Sequence, residues 1–460
     1  MSGKRWLPWV ALACLVVPMF GSYFFDDMFS SISFIFSDPS HIQLGWDSAG
    51  YGLYTSGYSV LCVFGGLIVC GMLLDRWGVR ITGSIFVGMM TAGAALVLWA
   101  ITSGLNPKQS LSVAYAGCML FGLGSEIAGV AVTRSIARWF KDGPMAFAMG
   151  LQLAIARLGT AFALVMAPRL VGRMPDQVGH DVAGVGHDVV GVGQGVLPLE
   201  VTARPAVLGI GLLLLGCVLW AVFVALDAKR FPVRPGMTDD GKPGMTDDGK
   251  PGKDDGKSEG FRLADVGKIL TNKRFILISL LCVFFYSSII AFKKFAGAIL
   301  VPRFDVPAEA ASWMVSMLPF ATVVFAPLFG ILVDKFGHGT RWMLAGAVLA
   351  LAAHLLLAFA PQGVPFWGYL SMVFLGFGYS LVPAAMWPSV PRIVPDKVLG
   401  TAFSLIYWIQ NLGLMLFKML AGVILGSAAA QGPVHVELMF VGVCVAALAI
   451  SASLDRMKIA

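Results

Sequence analysis

Apolar residues run along this chain in long unbroken stretches, not in the short alternations of a half-buried strand. Twelve stretches can be drawn, at approximately 6–28, 48–74, 81–103, 111–137, 145–170, 205–227, 273–298, 310–334, 341–361, 364–391, 398–426 and 434–455. Each is long enough to cross a bilayer as a helix, which takes about 20 residues at 1.5 Å apiece. Hydrocarbon offers backbone N–H and C=O groups no partner, so a spanning segment must satisfy its own, and a helix does so. A membrane barrel would show short alternating segments instead. The pattern therefore predicts an all-α membrane protein of twelve transmembrane helices. Lys4 and Arg5 ahead of the first stretch resemble a signal peptide. That stretch ends in Tyr23-Phe24-Phe25-Asp26, without a small-residue cleavage site, and is read as a retained first helix.

Composition agrees. Of 460 residues, 57% are hydrophobic and only 13% charged, against about 25% charged in a soluble domain. Mean hydropathy is +0.80. With both termini cytoplasmic, the external loops hold only Lys108, Arg169, Arg173, Arg204 and Arg303, and the spans hold Arg157, Lys293, Lys294 and Lys418. The large remainder of the 33 Lys and Arg falls on the cytoplasmic side, as the positive-inside rule requires. The net charge of +7 follows from that bias and implies no nucleic acid. All seven cysteines fall within predicted spans and none forms a CxxC pair, so neither a metal site nor a disulfide framework is expected. No cofactor is implied.

Two long loops interrupt the pattern. Residues 228–272 carry Met237-Thr-Asp-Asp-Gly-Lys-Pro-Gly244 twice in tandem, a composition that cannot form a core and reads as a flexible linker. It divides the chain into a six-helix bundle at 1–227 and another at 273–460. The loop near 174–204 repeats Gly179-His180-Asp181-Val182 as Gly186-His187-Asp188-Val189. A weak metal site is one reading; a duplicated low-complexity insertion is favoured, since nothing fixes a ligand cage.

A second repeat lies at the membrane boundary. Gly71-Met-Leu-Leu-Asp75-Arg76-Trp-Gly78-Val-Arg80 joins spans 2 and 3, and Gly330-Ile-Leu-Val-Asp334-Lys335-Phe-Gly337 joins spans 8 and 9. The glycines suit close packing and chain reversal. The carboxylate suits a helix N-terminus or a base in the opposite half, a contact able to form and break. Two copies at equivalent places resemble the gating hairpins of the major facilitator superfamily, whose transporters are built of two parallel six-helix halves.

Ionisable residues within spans are costly and mark function by default. Glu126 falls mid-way along span 4 and Arg157 mid-way along span 5, at similar depth. Together they suit the two ends of a zwitterion; the alternative is an ion pair pinning the two helices. Lys293 and Lys294 in span 7 either meet an anionic group or snorkel to the interface, and Asp26 and Asp27 close span 1 in a place that is also interfacial. Lys418 and His354 are weaker leads, the latter as a packing residue. Trp387, Gln410 and Asn411 offer aromatic and polar lining for a midplane cavity.

Several stretches are similar to the lysosomal dipeptide uniporter branch of that superfamily: Phe20-Gly-Ser-Tyr23-Phe, Leu61-Cys-Val-Phe-Gly-Gly66, Gly124-Ser-Glu126, Trp139-Phe-Lys141, Gly150-Leu-Gln-Leu-Ala-Ile-Ala-Arg157-Leu-Gly159, Phe329-Gly-Ile-Leu-Val-Asp334-Lys335, Gly378-Tyr379-Ser-Leu, Trp387-Pro388, Leu399-Gly-Thr-Ala402 and Ile409-Gln-Asn-Leu-Gly-Leu414. The resemblance implies facilitated movement of dipeptides by alternating access, with Glu126 and Arg157 holding the peptide's ends; Tyr23, in a matching stretch, is a further candidate for substrate binding. Lys293 and Lys294 have no counterpart in it. The acidic dileucine sorting signal of a longer N-terminal tail is also missing, so a plasma or bacterial inner membrane is expected over a lysosome. The partners implied are a small-molecule substrate (short peptides or organic ions) and the lipid bilayer; an accessory subunit is left open. A proton-coupled carrier of organic anions and a non-transporting sensor of the same fold are the competing expectations. An enzyme is not expected, since no nucleophile–base pair or metal cage can be placed at one depth.

Overall fold

The computed structural model describes residues 6–33, 44–141, 145–171, 199–232, 271–390, 392–394, 399–427 and 431–457. Among these there is no strand, and twelve helices are long and apolar enough to cross a membrane. The helices are α1 (Leu7–Asp27), α2 (Ser48–Leu61), α3 (Leu67–Thr102), α4 (Pro107–Trp139), α5 (Met145–Val171), α6 (Leu199–Arg230), α7 (Lys273–Phe304), α8 (Ala308–Phe336), α9 (Gly339–Phe359), α10 (Pro365–Met386), α11 (Leu399–Ser427) and α12 (Gly432–Arg456); the second span, Ser48–Cys70, runs from α2 into the start of α3, and the third, Trp77–Thr102, is the rest of α3. The tandem repeat at 237–252 and both Gly-His-Asp-Val copies lie outside the described residues. We call the side on which α1 begins and α12 ends the motif face, because the two repeated motifs turn there, and the other side the far face.

Two boundaries differ from the hydropathy reading for physical reasons. Helix α6 begins at Leu199, ahead of its apolar run, since an apolar count overlooks a polar first turn; Glu200 there suits the helix N-terminus. The second span is not one straight helix. After α2 a π-helical turn, Cys62–Gly66, holds Gly65 at φ 94°. Helix α3 then continues through the first motif, broken only at Gly78 (φ 77°, ψ 174°). In the second motif Gly337 has φ 66° and closes α8, its N–H donating to Val333 O at 2.8 Å. The last glycine of each motif thus makes the reversal, in a backbone region open to glycine and costly for other residues.

Within the first six helices α3 packs on α4 and α6, and α1 on α5 and α6; within the last six α9 packs on α10 and α12, and α7 on α11 and α12. The two sets meet chiefly where α2 lies on α11 and α5 on α8. Small residues permit the close crossings, as membrane packing favours. A Cβ at Gly122 would stand 2.0 Å from Tyr58 O, and one at Gly159 would stand 2.4 Å from Phe20 O. Backbone cannot swing aside as a side chain can, so Gly122→Ala should cost about 1–3 kcal/mol. A thermal melt in detergent reads this, and an unchanged midpoint would disprove the tight α2–α4 crossing.

Charge anchors each set near the motif face. Asp227 of α6 accepts from Arg80 Nε at 2.8 Å and Trp139 Nε1 at 2.7 Å, and Arg80 also donates to Phe231 O. Thr340 donates to Asp455 at 2.7 Å. His354 is a buried packing residue, with Nδ1 2.7 Å from Glu437 Oε2.

Candidate functional site

Glu126 lies thirteen residues before the end of α4 and Arg157 twelve residues after the start of α5. At 1.5 Å per residue these are depths of about 20 and 18 Å from the motif face, so the sequence places both near the middle of the membrane. No ion pair joins them among the described residues. The half-buried Glu126 instead accepts from the Tyr58 hydroxyl at 3.1 Å. Arg157 donates to the Tyr379 hydroxyl at 2.5 Å and lies over two tyrosine rings, 5.0 Å from the centroid of Tyr379 and 5.8 Å from that of Tyr23. Each charge is held by neutral hydroxyls and π-faces, which steady it while leaving bonding capacity unspent. Tyr23 of α1 and Tyr407 of α11 are both within coulombic reach of Glu126 and of Arg157.

An aromatic wall from the last six helices completes the surroundings. Trp387, in the 3-10 turn after α10, donates through Nε1 to the Tyr286 hydroxyl at 3.0 Å and stacks on Tyr407 at 5.1 Å. Tyr286 meets Tyr379 edge to face at 6.0 Å. Tyr379, like Trp387 and Tyr23, belongs to a stretch that carries the resemblance. Tyr58, Tyr286 and Tyr407 escaped the sequence reading; the one available signal was a tyrosine far inside a span, whose hydroxyl must find a partner.

The other expected members sit elsewhere. Gln410 is buried with its Oε1 3.2 Å from Cys282 Sγ, and Asn411 donates to Tyr407 O within its own helix; neither bonds to Glu126 or Arg157. Lys293 and Lys294 do not snorkel, nor do they wait for an anion. They are 7% and 1% exposed. Lys293 Nζ is 2.5 Å from Asp27 Oδ2, and Lys294 Nζ is 2.9 Å from Asp27 Oδ1 and 2.7 Å from Asp26 Oδ2. Lys294 also bonds the Asp26 carbonyl oxygen. Thr160 donates to Asp27 at 2.8 Å. The expectation of interfacial aspartates is thereby corrected for Asp27, which is 1% exposed. Two ammonium groups taken out of water need compensation, and the paired carboxylates ending α1 supply it.

The gating residues need similar sorting. Asp334 and Lys335 are exposed at the motif face, while the side chains of Asp75 and Arg76 and the surroundings of Gly71 lie outside the described residues. A Cβ at Gly330 would meet open space, so its expected close packing is absent here. Arg80, expected at the gate, clamps α3 to α6, its guanidinium drawn by the buried Asp227.

Bonds between the two sets of six gather towards the far face. From Trp408 Nε1 donating to Val63 O, they run through Arg157–Tyr379 and Lys418–Thr55 to the Asp–Lys tetrad. Beyond it Gly297 N–H reaches Ser30 O, Ala298 N–H reaches Ser33 Oγ, and Arg169 pairs with Glu309 at 3.0 Å. Near the motif face the bonds of Asp227, Asp455, Asn272 with Ile393 and Trp342 with Gly337 each stay within one set.

The family model described as Major Facilitator Superfamily matches residues 19–295 and 293–456. The lysosomal dipeptide transporter MFSD1 of Mus musculus is 28% identical over 94% of this chain and 82% of its own length; that of Bos taurus is 29% identical over 92% and 80%. Among solved structures, a bacterial homologue of the human lysosomal transporter Spinster, inward-facing and unoccupied, superposes with a TM-score of 0.69 at 15% identity, covering 99% of this chain and 98% of that one.

Proposed function

The chain belongs to the Major Facilitator Superfamily, and from that premise we propose that it carries small zwitterionic solutes, dipeptides foremost, by alternating access. The observation that carries this reading is the state of Glu126 and Arg157: opposite charges at one depth, neither neutralised by the other, and among the described residues each held by tyrosines. A ligand with an ammonium at one end and a carboxylate at the other satisfies both at once. The guanidinium fork suits a carboxylate, and the carboxylate of Glu126 suits an ammonium. Tyr23, Tyr407 and the Trp387 wall lie beside the body of such a ligand.

The positive-inside bias makes the motif face cytoplasmic. The gathering of inter-half bonds towards the far face then corresponds to a carrier closed to the outside. In this reading the linker around 228–272 joins two bundles that rock against each other, and the exposed Asp334 and Lys335 belong to contacts made when the motif face closes. Lys293 and Lys294 are neutralised by aspartates, which weighs against the organic-anion reading that needed them.

A thermal-shift screen of the purified protein tests the substrate class. Dipeptides should stabilise it, whereas the same dipeptides N-acetylated or C-amidated should stabilise it far less. Stabilisation by dicarboxylates alone would overturn the reading.

A further inference from the structure

Lys418 of α11 is 2% exposed, yet among the described residues no carboxylate lies within ion-pair distance of it. Its Nζ donates to Thr55 O at 3.3 Å and lies 5.3 Å from the centroid of the Tyr58 ring. Tyr58 in turn is the donor that holds Glu126. A charge buried without a counter-ion is expensive, and its place over Tyr58 gives this one a use beyond packing.

We propose that Lys418 is a positioning residue for Glu126, acting through Tyr58 from the opposite half of the molecule. A cation over the face of a phenol draws electron density from the ring and makes its hydroxyl a stronger donor. That hydroxyl has a single proton and two neighbours, Glu126 Oε1 at 3.1 Å and Ser125 Oγ at 3.2 Å. The carboxylate, being charged, takes it, and Ser125 can donate its own proton to Tyr58 or to Ser22, 2.6 Å away. Positive charge thus reaches Glu126 without occupying it. A lysine in direct contact would keep the carboxylate ionised but would compete with the ammonium of a ligand; the relay keeps it ionised and leaves it open.

The relay also senses conformation. Tyr58 and Glu126 belong to the first six helices, and Lys418 to the last six. It is intact here because α2 lies on α11 so closely that a Cβ at Gly52 would stand 2.9 Å from Gly422 Cα. Rotating the halves to open the far face parts α2 from α11 and withdraws Lys418 from Tyr58, so Glu126 loses its support on one side of the cycle. The other titratable groups around Glu126 are Asp26 and Tyr23 on α1, Cys62 in the π-helical turn after α2, Arg157 on α5 and Tyr407 on α11. The charge of Arg80 on α3 is engaged by Asp227.

The role of Glu126 as ammonium acceptor rests on the function proposed above, but the relay is testable without any ligand. An infrared pH titration of the purified protein follows the carboxylic-acid band that disappears in Glu126→Gln. In Lys418→Met the band should appear at higher pH, by about one unit. Tyr58→Phe should shift it similarly, the double variant should go no further, and Lys418→Arg should restore the wild-type position. An unmoved band in Lys418→Met, or shifts from the two single variants that add, would overturn the relay. Where Lys418→Met yields no folded protein, Tyr58→Phe decides alone: an unmoved band there has the same force. A relay that fails this titration in a protein still stabilised by dipeptides sinks only the present inference.

Discussion

Arg157→Ala should abolish measurable dipeptide counterflow in proteoliposomes and weaken ligand binding by about 10²-fold or more. Removing one partner of a buried, hydrogen-bonded charge pair at a binding site costs about 2–5 kcal/mol, and each 1.4 kcal/mol is a factor of ten. Here the cost lies towards the upper end, because the other buried cations nearby among the described residues are lysines held by Asp26, Asp27 or Thr55. Arg157→Lys should recover only a fraction. A single ammonium cannot both bond Tyr379 and present a fork. The loss should be selective, with C-amidated dipeptides bound equally by wild type and variant, since they bring no carboxylate to lose. Equal losses for free and amidated peptides would place Arg157 in the scaffold. The folded state is the control, because Arg157 also joins α5 to α10.

Asp27→Asn should be the most damaging conservative change in the molecule, costing about 3–5 kcal/mol as a buried pair is broken. It leaves Lys293 without its carboxylate and takes from Lys294 one of its two. Pairing it with Lys293→Met should recover much of the loss, since the second change removes the stranded charge. A double variant as unstable as the sum of the two singles would refute the coupling. The change also bears on the cycle. The tetrad joins α1 to α7 near the far face, so a weakened tetrad should favour the state open on that side. Labelling of Ser30→Cys by a membrane-impermeant thiol reagent, on a cysteine-free background, should accelerate in Asp27→Asn.

How much of this was legible in the sequence differs by residue. The twelve helices were, because apolar length is a local property and a bilayer leaves a span few alternatives. The reversal at Gly78 and Gly337 was, because a repeated motif with glycine in a fixed place has few physical meanings. The depth of Glu126 and Arg157 was, from counting along α4 and α5. Their partners were not. Tyr58 and Tyr379 come to those charges from helices distant in sequence, and no spacing rule links residue 157 to residue 379. Lys293 and Lys294 were left between two readings for the same reason: a lysine near a helix end reads alike whether it snorkels or meets an aspartate more than 260 residues away. The π-turn at Cys62–Gly66 was invisible because Gly65-Gly66 reads as ordinary small-residue packing.

The Asp–Lys tetrad sums to no net charge while it is closed, so as a unit it does not feel the voltage across the membrane. Parted, its two negative charges travel with α1 and its two positive charges with α7. Any displacement of one pair past the other along the membrane normal then does electrical work. The full drop amounts to about 2.3 kcal/mol per elementary charge at 100 mV. A carrier of electrically neutral cargo would thus remain voltage-sensitive in its own return step, at a point where nothing is being carried.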